Sequence, residues 1–268
     1  MAVQPDGKPC WADAMFTDVE GAKAFYGDVL GWTFGEAASE FGSYTQAYRD
    51  GKAVAAVVPP MPGQDGEESR SAWCLYLASS DVAATARKIR DNGGTLLMEP
   101  MQVGDFGSMC LAQDPGGVVF GVWQGGTHEG FEKMGETGSY VWSEIFTRTP
   151  QESDTFFPAV FGYGVKTMAA PDVPEMDYKL YTLDDNPELG RMLMTGDFPP
   201  DVPSYIQVYF AVDDCDAAVA KAQTRGGQLV FGPMGSPFGR FAAIVDPQGA
   251  VFAVIDQGTT EGEMPDLR

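Results

Sequence analysis

Two carboxylates stand where carboxylates are costly. Asp13 lies in the stretch Cys-Trp-Ala-Asp-Ala-Met (10–15) and Glu144 in Val-Trp-Ser-Glu-Ile-Phe (141–146), both otherwise mostly apolar. A buried carboxylate must be paired or protonated. Burial raises its pKa toward the range useful for general acid or base work. Such a group could remove a proton beside a carbonyl. A tyrosine hydroxyl (Tyr209 or Tyr76) or Arg240 would then stabilise the enolate or protonate a departing hydroxyl. Two plainer readings stay open: either acid reaches water at a strand end, or it pairs with Arg240 or Arg148. Arg240 follows Phe238-Gly239 and either anchors an anionic ligand oxygen or bridges to an acid. Cys74 has no histidine nearby to activate it and reads as a buried structural thiol. His128 is the only histidine, sits in a glycine-rich stretch and reads as a solvated linker residue. No Gly-x-Ser-x-Gly elbow is present. The glycines from Gly125 to Gly130 precede no helix, so they do not form a phosphate loop.

The elements that must position these groups occur twice. Trp11 and Asp13 align with Trp142 and Glu144 at an offset of 131, as Leu30-Gly31-Trp32 does with Phe161-Gly162-Tyr163. Gly93-Gly94 aligns with Gly226-Gly227, and Asp114-Pro115-Gly116-Gly117 with Asp246-Pro247-Gln248-Gly249. Ordered matches at a nearly constant offset mark an internal repeat. They divide the 268 residues into a first domain (1–126), a linker (127–139) and a second domain (140–268). Residues 124–139 hold five glycines and little periodic apolar pattern.

Within the first copy, 11–17 reads as a strand, followed by a helix from the N-cap Asp18 to Leu30, stopped by Gly31. Strands are expected near 44–49 and 53–58. A second set follows: a strand at 73–78, a helix over 81–92 stopped by Gly93-Gly94, and strands near 95–98, 107–113 and 118–123. The second copy repeats the pattern, with helices near 150–161 and 214–225. Each helix is followed by several strands with hairpin turns, which excludes a doubly wound parallel sheet. The fold class is α+β: two tandem domains, each of two βαβββ modules.

Composition narrows the partners. With 17 basic against 38 acidic residues the net charge is −21, which favours solubility and argues against nucleic acid or an anionic membrane as a partner. The four cysteines (Cys10, Cys74, Cys110, Cys215) form no C-x-x-C pair and read as reduced thiols. No apolar leader or membrane span is visible in the sequence. These features lead to an expectation of a cytoplasmic protein. A homodimer is left open.

The segments DVEGAKAFYGDVLGWTF, DVAATARKIRDNGG and DPGGVVFGVWQ, with DCDAAVAKAQTRGG and DPQGAVFAVID in the second copy, resemble the glyoxalase/bleomycin-resistance/dioxygenase group, the vicinal-oxygen-chelate superfamily. The likeness covers nearly the whole chain and is strongest to two-domain actinobacterial members. It implies that paired modules form a curved mixed sheet around a cavity. It also implies metal-ligand positions, which fall on Trp11, Cys74 and Gly121 in the first copy and on Trp142, Gln207 and Ala253 in the second. Trp, Gly and Ala cannot ligate a divalent ion through their side chains, so no metal and no cofactor are expected.

If Trp11 and Trp142 mark the cavity side, strand alternation brings in Asp13, Cys74 and Tyr76, and Glu144, Gln207 and Tyr209. Trp123 joins them from the last strand of the first copy. The middle strands can add Tyr44, Tyr178 and Tyr181, and loops Phe106 and Phe238. This inventory suits a flat apolar ligand, although any one aromatic residue could instead fill the core. The resemblance implies action on a polycyclic or aromatic polyketide natural product, by metal-independent dehydration or cyclisation of lyase type. In that reading Glu144, Asp13, Arg240 and Tyr209 carry the acid–base work. The alternative is sequestration of an aromatic antibiotic without catalysis, and the third option is glyoxalase or dioxygenase chemistry.

Overall fold

The computed structural model describes residues 4–38, 42–60, 71–168 and 176–268. Sixteen strands and four helices follow the repeat. The first module holds β1 (Pro9–Met15), α1 (Val19–Leu30), β2 (Thr33–Phe34), β3 (Thr45–Arg49) and β4 (Lys52–Val58). The second holds β5 (Trp73–Ala78), α2 (Val82–Asp91), β6 (Thr95–Val103), β7 (Gly107–Gln113) and β8 (Val119–Gly125). The second copy gives β9 (Tyr140–Thr147), α3 (Pro150–Phe161), β10 (Gly164–Thr167), β11 (Tyr178–Leu183) and β12 (Asn186–Leu193). It ends with β13 (Tyr205–Ala211), α4 (Cys215–Thr224), β14 (Gln228–Ser236), β15 (Gly239–Val245) and β16 (Val251–Asp256). The helices expected from periodicity all form. Asp18, Asp81 and Asp214 each cap one by accepting a backbone N–H through the side chain. Gly31 and Gly162 end α1 and α3 in the left-handed conformation, at φ 71° and 78°, where a side chain would be strained.

Each copy makes one eight-stranded mixed sheet, in the orders β2-β3-β4-β1-β5-β8-β7-β6 and β10-β11-β12-β9-β13-β16-β15-β14. The two modules join at the sheet centre, where β1 runs antiparallel to β5 and β9 to β13. Alternation along β1 sends Ala12, Ala14 and Phe16 into the main core and Trp11 into a separate cluster on the other face. The main core runs through both copies. Phe25 and Tyr26 of α1 pack against Phe252, Trp32 against Phe210, and Phe156 and Phe157 of α3 against Phe120. Helices α1 and α3 therefore pack against the opposite copy, and the aromatic clusters of the two sheets are left on their other faces, the cups.

The Asp-Pro-x-Gly turns fasten this arrangement. Asp114 accepts a hydrogen bond from Ser153 of α3 at 2.7 Å, and Asp246 accepts one from Tyr26 of α1 at 2.9 Å. Each turn thus grips a helix of the other copy. Tyr26 also accepts the Trp73 indole N–H at 3.0 Å, so its hydroxyl links three elements from both copies. The Tyr26→Phe variant should lose about 1–3 kcal/mol of stability, because a buried carboxylate and a buried indole N–H both lose a partner. Thermal unfolding would show this as a lower midpoint. Calorimetry should show both copies unfolding in one transition, since they share a core.

Candidate functional site

Each cup is built around one acid on the central strand. In the first, Asp13 lies between Ala56 of β4 and Cys74 of β5. Its Oδ2 accepts the Tyr44 hydroxyl at 3.1 Å and its Oδ1 the Tyr76 hydroxyl at 3.4 Å. The Trp11 indole in turn donates to the Tyr44 oxygen at 2.6 Å. In the second cup Glu144 lies between Gly190 of β12 and Gln207 of β13. Its Oε1 accepts Tyr178 at 2.7 Å and its Oε2 accepts Tyr209 at 2.5 Å. Trp142 donates to the Tyr178 oxygen at 3.3 Å. The same four-residue cluster of one acid, two tyrosines and one tryptophan therefore occurs twice, on equivalent strands.

No cation contributes to either cluster. Burial pushes the Asp13 carboxyl up to about 7, while its two tyrosine hydrogen bonds pull the other way. Burial likewise raises Glu144, against hydrogen bonds from Tyr209, Tyr178 and Trp142. The four tyrosines are themselves pushed well above their usual range, by burial first and then by the neighbouring acid. The first cup therefore holds a carboxyl group near its titration point at neutral pH, and the second holds one whose pKa is raised, each among hydroxyls that keep their protons. That arrangement suits proton exchange with a bound molecule.

Two glycines shape these clusters. A Cβ on Gly190 would stand 2.0 Å from the Tyr178 hydroxyl and 2.9 Å from Cγ of Glu144. A bare backbone there gives the longer acid and its tyrosine room to meet. A Cβ on Gly121 would stand 2.2 Å from the Tyr76 ring.

Of the residues expected in the cups, Trp11, Asp13, Tyr44, Cys74, Tyr76 and Trp123 come together in the first. Trp142, Glu144, Tyr178, Gln207 and Tyr209 come together in the second. Arg240 does not join them. Phe241 packs with Tyr209 in the cup, so Arg240, one residue earlier on β15, faces the other way. There it forms a two-pronged ion pair with Asp216 of α4, at 2.6 and 3.0 Å. Of the roles left open for Arg240, the bridge to an acid is the one formed. Tyr181 is also displaced from the cup. Three residues from Tyr178 along β11, it faces the helices, donates to Asp154 of α3 at 2.8 Å and stacks on Tyr163 in the main core. Phe106 and Phe238 lie at the turns of the β6–β7 and β14–β15 hairpins and are 39% and 46% exposed, in the loops where they were expected.

Three residues escaped the sequence reading. Tyr205 stacks flat on Phe146 at 5.1 Å at one end of the second cup, and stepping back two positions from Gln207 would have found it. Phe131 packs on Trp11. His128, taken for a solvated linker residue, is instead tucked against Trp11 and Trp123. No periodicity marks the linker, so its path was not readable from sequence.

At the family's positions only the Cys74 thiol and the Gln207 amide oxygen could donate to a metal, one in each cup. The indole nitrogens of Trp11 and Trp142 carry hydrogen and donate it to tyrosines, and an indole N–H offers no lone pair. Burial keeps the Cys74 thiol protonated by raising its pKa well above the usual value. The Tyr76 ring fills the space a side chain at residue 121 would need. Among the described residues no group of three or more His, Cys, Asp or Glu is placed to hold a metal ion. The four cysteines are all free thiols, and no helix among the described residues is long and apolar enough to cross a membrane.

The family model described as the Glyoxalase/Bleomycin resistance protein/Dioxygenase superfamily matches residues 11–122. A Mycobacterium bovis protein named "Putative glyoxylase CFP32" is 37% identical over 252 residues, covering 93% of this chain and 94% of its own. The chain belongs to the glyoxalase/bleomycin-resistance/dioxygenase superfamily. The "Anthracycline biosynthesis protein DnrV" of Streptomyces peucetius is 34% identical over 263 residues, with 93% of each chain covered. Among solved structures, the Mn(II)-bound glyoxalase from Novosphingobium aromaticivorans superposes with a TM-score of 0.64 at 17% identity, over 97% of this chain and 87% of that one. The 2,3-dioxygenase LapB from Pseudomonas sp. KL28 gives 0.65 at 12% identity, over 99% and 96%. At these identities the structural likeness concerns the fold, two tandem domains of paired βαβββ modules.

The raised pKa of Asp13 carries a sign for stability. The folded chain holds this proton to a higher pH than the unfolded chain. The stabilising contribution is full below about pH 4 and is lost as pH rises through about 7. In Asp13→Asn the loss disappears, so unfolding midpoints measured from about pH 4 to pH 8 should decline less than in the parent chain. The gain at pH 8 should be on the order of 3 kcal/mol. Equal slopes for the two proteins would show that the acid is in free contact with water.

Proposed function

We propose that this protein binds a flat, polycyclic aromatic molecule in its cups and moves protons on it, driving a metal-independent loss of water of the kind that accompanies ring formation in aromatic polyketides. The observation that carries the reading is the repeated cluster of one carboxyl group, two tyrosine hydroxyls and one indole, with the Asp13 carboxyl held near pH 7. The likeness to a protein named for anthracycline biosynthesis supports the substrate class. The reading accounts for aromatic floors, for acids without cations, and for metal positions given over to Trp, Gly and Ala.

The chemistry balances with these groups alone. Glu144 or Asp13, as carboxylate, takes a proton from the carbon next to a ketone, and the C–H electron pair moves into an enolate. The neighbouring tyrosine hydroxyl protonates a hydroxyl on the next carbon. That C–O bond breaks as the enolate returns to a ketone with a new C=C bond, and water leaves. The carboxyl group passes its proton to the tyrosine across the existing hydrogen bond, which restores both. The aromatic walls hold the molecule oriented, which such a step needs more than a strong electrophile.

A second reading has its own observation. Both oxygens of each acid already accept tyrosine hydroxyls, so the clusters are satisfied without any reaction, and simple sequestration of an aromatic antibiotic would use the same walls. Turnover separates the two. Chelator-treated protein incubated with polycyclic aromatic β-hydroxy ketones should release the dehydrated product. Glu144→Gln together with Asp13→Asn should cut the rate by about 100-fold or more, with ligand affinity changed only a few-fold. Binding without product, indifferent to both substitutions, would leave sequestration standing. Stoichiometric metal, with activity lost on chelation, would point to glyoxalase or dioxygenase chemistry instead.

A further inference from the structure

The two cups share their acid clusters but not their far ends. In the first, Trp123 closes β8. In the second, Ile255 stands on the equivalent strand β16. Beyond Trp123 the chain does not leave the sheet. Gly126 and His128 donate their backbone N–H groups to the Phe106 carbonyl at 2.7 and 3.2 Å, and Phe131 donates to the Cys10 carbonyl at 2.7 Å. Glu132 then closes a ring with Ala53, donating its backbone N–H to the Ala53 carbonyl at 2.9 Å and accepting the Ala53 N–H on Oε2 at 2.8 Å. These bonds fix the linker against both modules of the first copy.

The fixed linker delivers one imidazole to the first cup. The ring of His128 stands edge-on to Trp11, with centroids 4.4 Å apart, and lies 5.8 Å from Trp123. Trp123 donates its indole N–H to the His128 carbonyl at 2.9 Å, so backbone and ring are both held. Nε2 of His128 is buried and has no hydrogen-bond partner within the protein. A buried polar atom left in that state is costly, and a ligand or a bound water that completes it removes the cost. Tyr44, Tyr48, Cys74 and Met109 of the cluster that holds Trp11 and Trp123 are only partly buried, so that cluster is not sealed from its surroundings. Burial lowers the imidazole pKa, which leaves the ring uncharged near neutral pH and able to act as either partner in a hydrogen bond.

We propose that His128 is a ligand-contacting residue of the first cup, where its Nε2 hydrogen-bonds a hydroxyl or carbonyl oxygen on the edge of a planar hydroxy-aromatic ligand. This rests on the reading that the cups take aromatic molecules, and it makes the first cup the one that recognises an oxygenated edge from two sides. Trp11 lies between the two polar groups, in contact with the imidazole and hydrogen-bonded through Tyr44 to Asp13. The second cup has no counterpart to the imidazole, since the chain holds a single histidine.

That single histidine makes the test direct. Protein labelled with nitrogen-15 in the imidazole gives one pair of ring signals, and 1,8-dihydroxyanthraquinone serves as the probe, with tryptophan quenching to report its binding. The expected result is a shift of the Nε2 signal on adding the probe. That shift should persist in Trp142→Ala, which alters only the other cup. His128→Phe, which keeps a ring but no nitrogen, should weaken probe binding about 10-fold, the worth of one hydrogen bond. Quenching with an unmoved imidazole signal in the parent protein would overturn the assignment of His128 and leave aromatic binding standing. No quenching at all would overturn both.

Discussion

The structure turns on a half-buried carboxyl group with only neutral partners. Neither Asp13 nor Glu144 has a lysine or arginine among the groups that shift its pKa, so neither can settle as a permanent ion pair. What remains is hydrogen bonding from hydroxyls, and each acid receives two. Those bonds favour the charged form while burial favours the neutral one. The balance leaves the group ready to exchange a proton. An arginine beside it would end that balance by holding the carboxylate charged, and Arg240 is accounted for elsewhere, on Asp216.

Holding such acids on cupped faces requires that the opposite faces be covered by something else. Each sheet has two helices on its other side, and the helices of one copy pack on the aromatic residues of the other. An isolated first copy would leave Phe25, Trp32 and Phe120 without these partners, and an isolated second copy Phe210 and Phe252, each an apolar patch of the kind that marks an interface. Duplication solves this with one shared core, and the Asp-Pro-x-Gly turns fix the register by gripping the opposite helices. The aromatic residues in the cups are therefore not needed to join the copies, which leaves them free to bind.

Much of this was legible in the sequence because it is periodic. Helix ends followed from Asp caps and Gly stops, and the cup-facing set on β1 followed from alternation once Trp11 had fixed the parity. The failures are of two physical kinds. Tyr181 was placed beside Tyr178, but three positions turn a strand side chain to the other face, and Arg240, expected in a loop, lies on β15 on the face opposite Phe241. Phe106 and Phe238 were expected in loops and sit in hairpin turns. His128 failed for a different reason. A linker's path is set by individual backbone hydrogen bonds, here to Phe106, Cys10 and Ala53, and none of these leaves a pattern in residue type.

The small differences between the repeated clusters carry their own argument. The first cup pairs a short acid with a Cβ-bearing neighbour, Asp13 beside Ala56. The second pairs a long acid with a bare one, Glu144 beside Gly190. Each exchange compensates the other in volume, so the cluster was kept while its acid moved outward by one methylene. The longer acid reaches its tyrosines at 2.7 and 2.5 Å, against 3.1 and 3.4 Å for the shorter one. Shorter bonds favour the charged form more strongly, and in both cups they work against the rise that burial imposes. The first cup adds a neutral imidazole on the far side of its tryptophan. Two copies that kept the same acid cluster therefore differ in the length of the acid, in the hydrogen bonds it receives and in the imidazole that stands against only one of the two tryptophans.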